Sequence, residues 1–388
     1  AMRNVQLTIV HVVSTDVARL NDGLQVIPDG SSNNIRIIEG TGLSANITLG
    51  AATTTVNTLF QTTVGGTSAA TIDAGGQILR SNAMIVGTGA GNLTIINGTL
   101  TAAIAGGSLD LANSSSAGSL GIDTVIDNNT TASQLNKTGP GLVTLTNANT
   151  YSGVTTINGG TLRISHPNAL GSTSAGLVVN GSGTGGTANA RLELSGGITV
   201  SGENATLSGS GNFLGAISSF NGINEWAGDI TLASSTAQTR LGASSGATLK
   251  VSGVIKDDGV NTLGLAIRSE SNTGIVSLSG TNTYLGDTSL LIGKLILEGG
   301  NNRLPIGTRF TMGNSTNVVE FDLNGRNQEL AGIAVFSGAT TANNSINNSD
   351  TVNLSTLTIN TTDTSPSTFG GLLTGNLALV KTGTDALT

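Results

Sequence analysis

Cysteine is absent from the 388 residues, so neither a disulfide framework nor a thiolate metal site can form. Histidine occurs twice, at His11 and His166, and proline five times. Aromatic residues make up 3% of the chain, with one Trp and two Tyr, too few for the bulky core of a typical sandwich. Charged residues make up 10%, against about 25% in ordinary soluble proteins. Disorder does not follow, because it needs low hydrophobicity and high net charge. Here 37% of residues are hydrophobic and mean hydropathy is +0.16. No run approaches the roughly 18 consecutive apolar residues of a membrane helix. The formal net charge is −7, and the cations are scattered (Arg3, Arg19, Arg36, Arg80, Lys137, Arg163) rather than clustered. Nucleic-acid binding therefore lacks its electrostatic footprint. Ala1-Met2-Arg3 opens no signal peptide, and the chain reads as a mature product or an excised fragment.

What fills the space is Gly, 56 of them, with Ser, Thr and Asn. Helical signal is confined to residues 13–24, where one or two turns fit a Ser/Thr start and an Asn21-Asp22-Gly23 stop. From Ile35 onward, short apolar-alternating runs recur every roughly eight to twelve residues, with turn residues between them. Residues 135–165 are the clearest case. Runs at 142–145, 154–157 and 162–164 are separated by Gly139-Pro140-Gly141, Asn149-Thr150-Tyr151 and Asn158-Gly159-Gly160. The unit returns at 273–298, where Asn282-Thr283-Tyr284 aligns with Asn149-Thr150-Tyr151. The same offset places Glu270 on Lys137, Asp287 on Val154 and Gly293 on Gly160, and replaces Asn-Gly-Gly with Leu291-Ile292-Gly293. A third copy opens at 377–388 with Lys381-Thr382-Gly383 and stops short of its own Asn-Thr-Tyr.

This texture predicts an all-β fold, a β-solenoid, over residues 29–388. Residues 1–28 are a candidate N-terminal cap for the first exposed strand edge. A narrow solenoid core is filled by stacked Ile, Val, Leu, Ala and Thr, so few aromatics are needed. At roughly 20–25 residues per coil the chain makes about 16–19 coils, a rod on the order of 75–90 Å long. Like polar residues should stack as hydrogen-bonded ladders. Corners are predicted at Asn97-Gly98, Gly106-Gly107, Asn158-Gly159-Gly160, Asn180-Gly181, Gly185-Gly186, Asn221-Gly222 and Asn324-Gly325.

Lys137-Thr138-Gly139-Pro140-Gly141, the 142–145 run, Asn149-Thr150-Tyr151-Ser152-Gly153, Thr155-Thr156-Ile157 and Gly160-Thr161-Leu162 resemble the autotransporter-associated β-strand repeat, also called the passenger-associated transport repeat. Residues 224–232 and 249–255 are similar to its usual lead-in. The resemblance covers about a quarter of the chain. It implies a right-handed parallel β-helix, the passenger region of a bacterial autotransporter, secreted by the type V route, with an outer-membrane barrel downstream. It further implies a cell-surface or extracellular location and a role in adhesion or surface structure. The implied partners are a host-cell or extracellular-matrix protein or glycan, or other copies of the chain, and no nucleic acid. Passengers of this kind are less often enzymes.

No catalytic residue, cofactor or metal ligand is assigned, and each candidate has a structural reading that is preferred. His11 and His166 lack neighbouring carboxylates. Gly242-Ala243-Ser244-Ser245-Gly246 has the spacing of a nucleophile elbow but no helical pattern after it. Asp257-Asp258-Gly259 reads as a turn rather than a cation site. Glu225, Trp226 and Asp229 could pair a sugar-stacking aromatic with two carboxylates, but the lead-in explains Trp226 without a ligand. Tyr151 and Tyr284 are expected at packed corners. The alternative function is a β-helix carbohydrate-active enzyme, a lyase or hydrolase, which fold analogy alone suggests. Specific binding is expected in the irregular segments 180–191 and 337–350.

Overall fold

The computed structural model describes residues 16–20, 26–38, 47–62, 69–181, 189–233, 238–361 and 367–388. Short strands stack in parallel as a β-solenoid of about 13 turns. The helical content among the described residues is one 3-10 turn, Thr341–Asn343. Two differences from the sequence reading concern the first coils and the coil number. Asp16–Leu20, where helical turns were expected, is a strand paired in parallel with Asn34–Ile38. A neighbouring strand that offers a full ladder outweighs the weak local helix signal. The rest of that segment, like residues 1–15 of the proposed cap, lies outside the described residues. There are also fewer coils than expected. Along one ladder Leu135 stacks on Thr155, a short coil, whereas Leu177 stacks on Ala205, a longer one. Irregular corner segments lengthen the coil, and about 13 turns at about 4.8 Å give a stack of roughly 60 Å.

Alternation decides which side chains enter the core. Thr53–Thr62 and Ile78–Val86 bury alternate residues over most of their length, as period-2 side-chain placement requires. Stacking then turns each buried position into a column. One column runs Ile35, Leu59, Met84, Leu111, Lys137, Ile157, Val179, Leu207, Leu232. A second runs Ile47, Ile72, Ile95, Ile122, Leu145, Ile164, Leu194, Ser219, Ala243. The aliphatic side chains in both are almost wholly buried. Burying each Val, Leu, Ile or Met among them stabilises by about 1.5–3 kcal/mol before chain entropy is counted. Trp226 sits in a third column between Val200 and Val251 and is fully buried.

Polar stacking also occurs. Asn82 donates to Asn57 (3.1 Å), which donates to Asn34 (2.9 Å). Two of the predicted corners are successive left-handed residues, Asn97 and Gly98 (φ 52° and 84°) and Asn324 and Gly325 (φ 47° and 74°). Asn and Gly tolerate that conformation best. Gly185-Gly186 lies outside the described residues.

Candidate functional site

The repeat is built around Asn149 and Tyr151. The Asn149 side chain accepts from the Ile126 amide of the preceding coil (2.8 Å) and donates to the Ala169 carbonyl of the next (2.6 Å). Asn282 repeats this, accepting from the Ile255 amide (2.8 Å) and donating to the Arg303 carbonyl (2.8 Å). One buried amide thus pins three coils where the chain turns. Tyr151 and Tyr284 are buried, each hydroxyl 2.6 Å from the hydroxyl of the threonine four residues on, Thr155 and Thr288. Burial pushes both phenols well above their ordinary value. The glycine after each tyrosine corner permits close stacking. A Cβ on Gly153 would stand 2.4 Å from the Ser133 carbonyl, and one on Gly286 would stand 2.5 Å from the Gly264 nitrogen.

Lys137 departs from the punctuation role its Lys-Thr-Gly motif suggests. It occupies the aliphatic column between Leu111 and Ile157 and is fully buried. Its Nζ donates to the carbonyls of Thr138 (2.8 Å), Gly139 (2.7 Å) and Gly159 (2.8 Å), the last from the next coil. Three acceptors match the three protons of an ammonium. Desolvation nevertheless pulls the group down to about 7. Lys381 starts the same arrangement, donating to Thr382 and Gly383 carbonyls.

Copy two differs from the linear alignment. Leu290 corresponds to Ile157 by sequence offset and pairs with Ile267, not with Glu270. Ile267 therefore fills the place of Lys137, and Glu270 stands outside, accepting from the Ser245 amide (3.0 Å). The change from Asn-Gly-Gly to Leu-Ile-Gly also has a structural result. Thr288–Leu297 runs as one strand, where copy one breaks between Thr155–Ile157 and Thr161–Ile164.

The remaining sequence candidates are dispersed. His166 Nδ1 accepts from the Asn168 amide in a turn (3.1 Å). Asp258 caps Val260 and Asn261, whose hydrogen bonds hold its carboxyl below the usual range. Asp257 accepts from the amides of Gly259 and Leu285. Ser244 precedes the strand Thr248–Val251, not a helix. Trp226 presents no face to a ligand, Glu225 accepts from Ser252 (2.5 Å), and Asp229 pairs with Lys256 (3.3 Å). His11 lies outside the described residues. Among the described residues no cluster of His, Cys, Asp and Glu could hold a metal ion.

The fold brings together cations that look scattered in the sequence. Thr161–Ile164, Arg191–Ser195, Ile217–Asn221, Thr239–Ala243 and Leu265–Arg268 are successive strands of one ladder. Arg163, Arg191, Arg240 and Arg268 lie on it. Glu193 is buried between two of them, 2.8 Å from Arg163 and 2.6 Å from Arg191. The Arg163 guanidinium lies 3.4 Å from the Phe220 ring centroid, and Arg240 and Arg268 lie 5.5 and 5.1 Å from that of Phe213. The signal in the sequence was a period, because Arg163 to Arg191 and Arg240 to Arg268 span the same interval, close to one coil. Beside Arg163 and Arg191 opens a groove of about 470 Å³, walled by residues 114–119, Pro140 and Thr161.

The fold and the repeat define a class: a parallel β-solenoid stapled at recurring Asn-Thr-Tyr corners. The family model for the passenger-associated-transport-repeat matches residues 135–164. Across an alignment of 353 residues the chain is 30% identical to the adhesin BmaC autotransporter of Brucella suis biovar 1. That alignment covers 78% of this chain and 10% of the relative. No solved structure matches. The chain carries a passenger-associated transport repeat and is autotransporter passenger-like.

Proposed function

We propose that the chain is a surface-displayed stretch of an autotransporter passenger that works by adhesion, through binding rather than turnover. The observation that carries this reading is the similarity to an autotransporter adhesin over most of the chain, on a fold whose repeat Asn and Tyr side chains are spent on stacking coils. Asn149, Tyr151, Asn282 and Tyr284 are consumed internally, so contact with a partner falls to outward-facing side chains. A host-cell or matrix component is the partner this reading calls for. An outer-membrane barrel elsewhere in the protein would anchor it.

The test uses the producing bacterium. Removing residues 16–388 in frame from the gene should leave growth unchanged and lower attachment to host cells or matrix-coated surfaces. Restoring the segment should restore attachment. Attachment equal to the parent strain would overturn the reading, as would hydrolysis or eliminative cleavage of a polysaccharide by the purified chain.

A further inference from the structure

We propose that the face bearing Arg163, Arg191, Arg240 and Arg268 is a binding site for an acidic polysaccharide, a linear chain of sugars carrying carboxylate groups. The proposal rests on the adhesive reading above and gives it a site.

The first observation is uncompensated charge. Arg240 and Arg268 form no ion pair among the described residues, yet their guanidiniums lie 5.5 and 5.1 Å from the centroid of one ring, Phe213. Burial, and for Arg240 the neighbouring Arg268, depress both groups from their ordinary value. Two like charges held together without a counter-ion favour an anion. The whole row has four guanidiniums, against buried Glu193 and the more distant Glu270. It does so on a chain of net charge −7, so the charge is concentrated rather than general.

The second observation is how Phe213 is held. Gly211, Asn212 and Phe213 are three successive left-handed residues (φ 55°, 55° and 70°). For a bulky residue that conformation is a genuine outlier and is strained. It leaves the ring 38% exposed, while Arg268 donates to the Phe213 carbonyl (2.9 Å). Phe220 is similarly exposed above Arg163, and its face can be shared with a ligand. Aromatic rings left open beside guanidiniums suit the apolar faces of sugar rings and the carboxylates attached to them.

Spacing and wall chemistry narrow the class. The cations are displayed over five successive strands at about 4.8 Å per step, so the array is linear and runs along the stack axis. The groove at its Arg163 end is walled by Ser114, Ser116, Ser119 and Thr161, whose hydroxyls complement a hydroxyl-rich ligand.

The test measures binding of the 388-residue chain to a polygalacturonate oligosaccharide by calorimetry. Comparison ligands are the methyl-esterified oligosaccharide, a sulfated one, poly-glutamate and an oligodeoxynucleotide. The parent should bind the carboxylated sugar with salt-sensitive affinity and the esterified form at least about tenfold more weakly. Arg240→Ala with Arg268→Ala should lose about tenfold or more. That variant also loses the Arg268 hydrogen bond to the Phe213 carbonyl, so circular dichroism at the binding temperature must match the parent's for the loss of affinity to count. Phe213→Ala should weaken the sugar but not a small carboxylate. Lys250→Ala with Lys256→Ala, off this ladder, should bind as the parent does. No binding of the carboxylated sugar, equal binding by the arginine variant, or preference for poly-glutamate, the oligonucleotide or the sulfated sugar would overturn the proposal. If the segment deletion abolishes attachment while the arginine variant attaches normally, this site fails and the adhesive reading stands. If the sugar binds and the deletion strain still attaches, the adhesive reading fails instead.

Discussion

Replacing Asn149 by Ala should cost the fold about 2–6 kcal/mol, because the side chain satisfies two buried backbone groups on different coils. Its loss orphans the Ile126 amide and the Ala169 carbonyl, and each unsatisfied buried group costs about 1–3 kcal/mol. That is a large fraction of the roughly 5–15 kcal/mol by which a domain is stable. Asn282→Ala removes equivalent bonds from the Ile255 amide and the Arg303 carbonyl, so its cost should be similar. Asn149→Asp is the informative control. It keeps an acceptor for the Ile126 amide but turns a carboxylate oxygen toward the Ala169 carbonyl, so it should rescue little. Urea unfolding followed by far-UV circular dichroism gives the loss of stability. Amide exchange localises it, because a solenoid is stabilised largely between nearest neighbours. Exchange should accelerate first at Ile126 in Asn149→Ala and at Ile255 in Asn282→Ala. A loss below about 0.5 kcal/mol at either position, or a large loss at only one, would refute the claim that these asparagines pin the coils.

Other expected outcomes follow from buried groups and close approaches. Lys137 has a folded value of about 7 against 10.5 ordinarily. Between those limits the unfolded chain holds the proton and the folded chain does not. Stability should therefore rise from pH 7 toward 10.5, by up to about 5 kcal/mol, with the full cost present below pH 7. Lys137→Met should flatten that rise in pH-dependent urea midpoints, and an unchanged slope would contradict it. Glu203 is buried with Oε1 unpartnered, and desolvation raises its carboxyl to about 7. Its favourable state is intact below about pH 4.5 and is lost as pH rises through 7. Glu203→Gln should accordingly melt higher than the parent at pH 8 and show little difference at pH 4.5. Gly153→Ala should destabilise by more than about 1 kcal/mol, because the added Cβ would meet the Ser133 carbonyl at 2.4 Å.

The architecture was legible because its two signals are local. Alternation at 142–145 marks a strand wherever its partner lies, and the Asn-Thr-Tyr corner is contiguous in the chain. The coil count was less legible. Corner segments of different length, such as the one between Thr161–Ile164 and Leu177–Asn180, set each coil's size, and no local pattern reports them. Lys137 shows the same limit. A lysine in an alternating strand reads as outward-facing, and only the carbonyl of Gly159 on the next coil reveals its acceptor cage. The arginine face was hidden because the members of each pair are a whole coil apart in sequence but adjacent or nearly so in the stack. A search at the coil period would have found it. Trp226, which could be taken for a sugar platform, belongs to the core column. The exposed aromatics beside the arginines are Phe213 and Phe220, in a segment with no repeat signature.

The central claim is that this solenoid is displayed outside the cell with its outer face free to bind. The absence of cysteine makes a direct measurement available. Ser116→Cys, on the exposed groove wall, and Leu111→Cys, in the core column, would each place one thiol in this stretch, with labelling of the parent protein on the same cells as the background. Intact producing cells and their medium are treated with a membrane-impermeant maleimide. Labelling of Ser116→Cys without lysis, with Leu111→Cys labelled only after denaturation, is the expected result. Labelling of Ser116→Cys only after the cells are broken would contradict surface display, and equal labelling of both thiols in the native protein would contradict the fold.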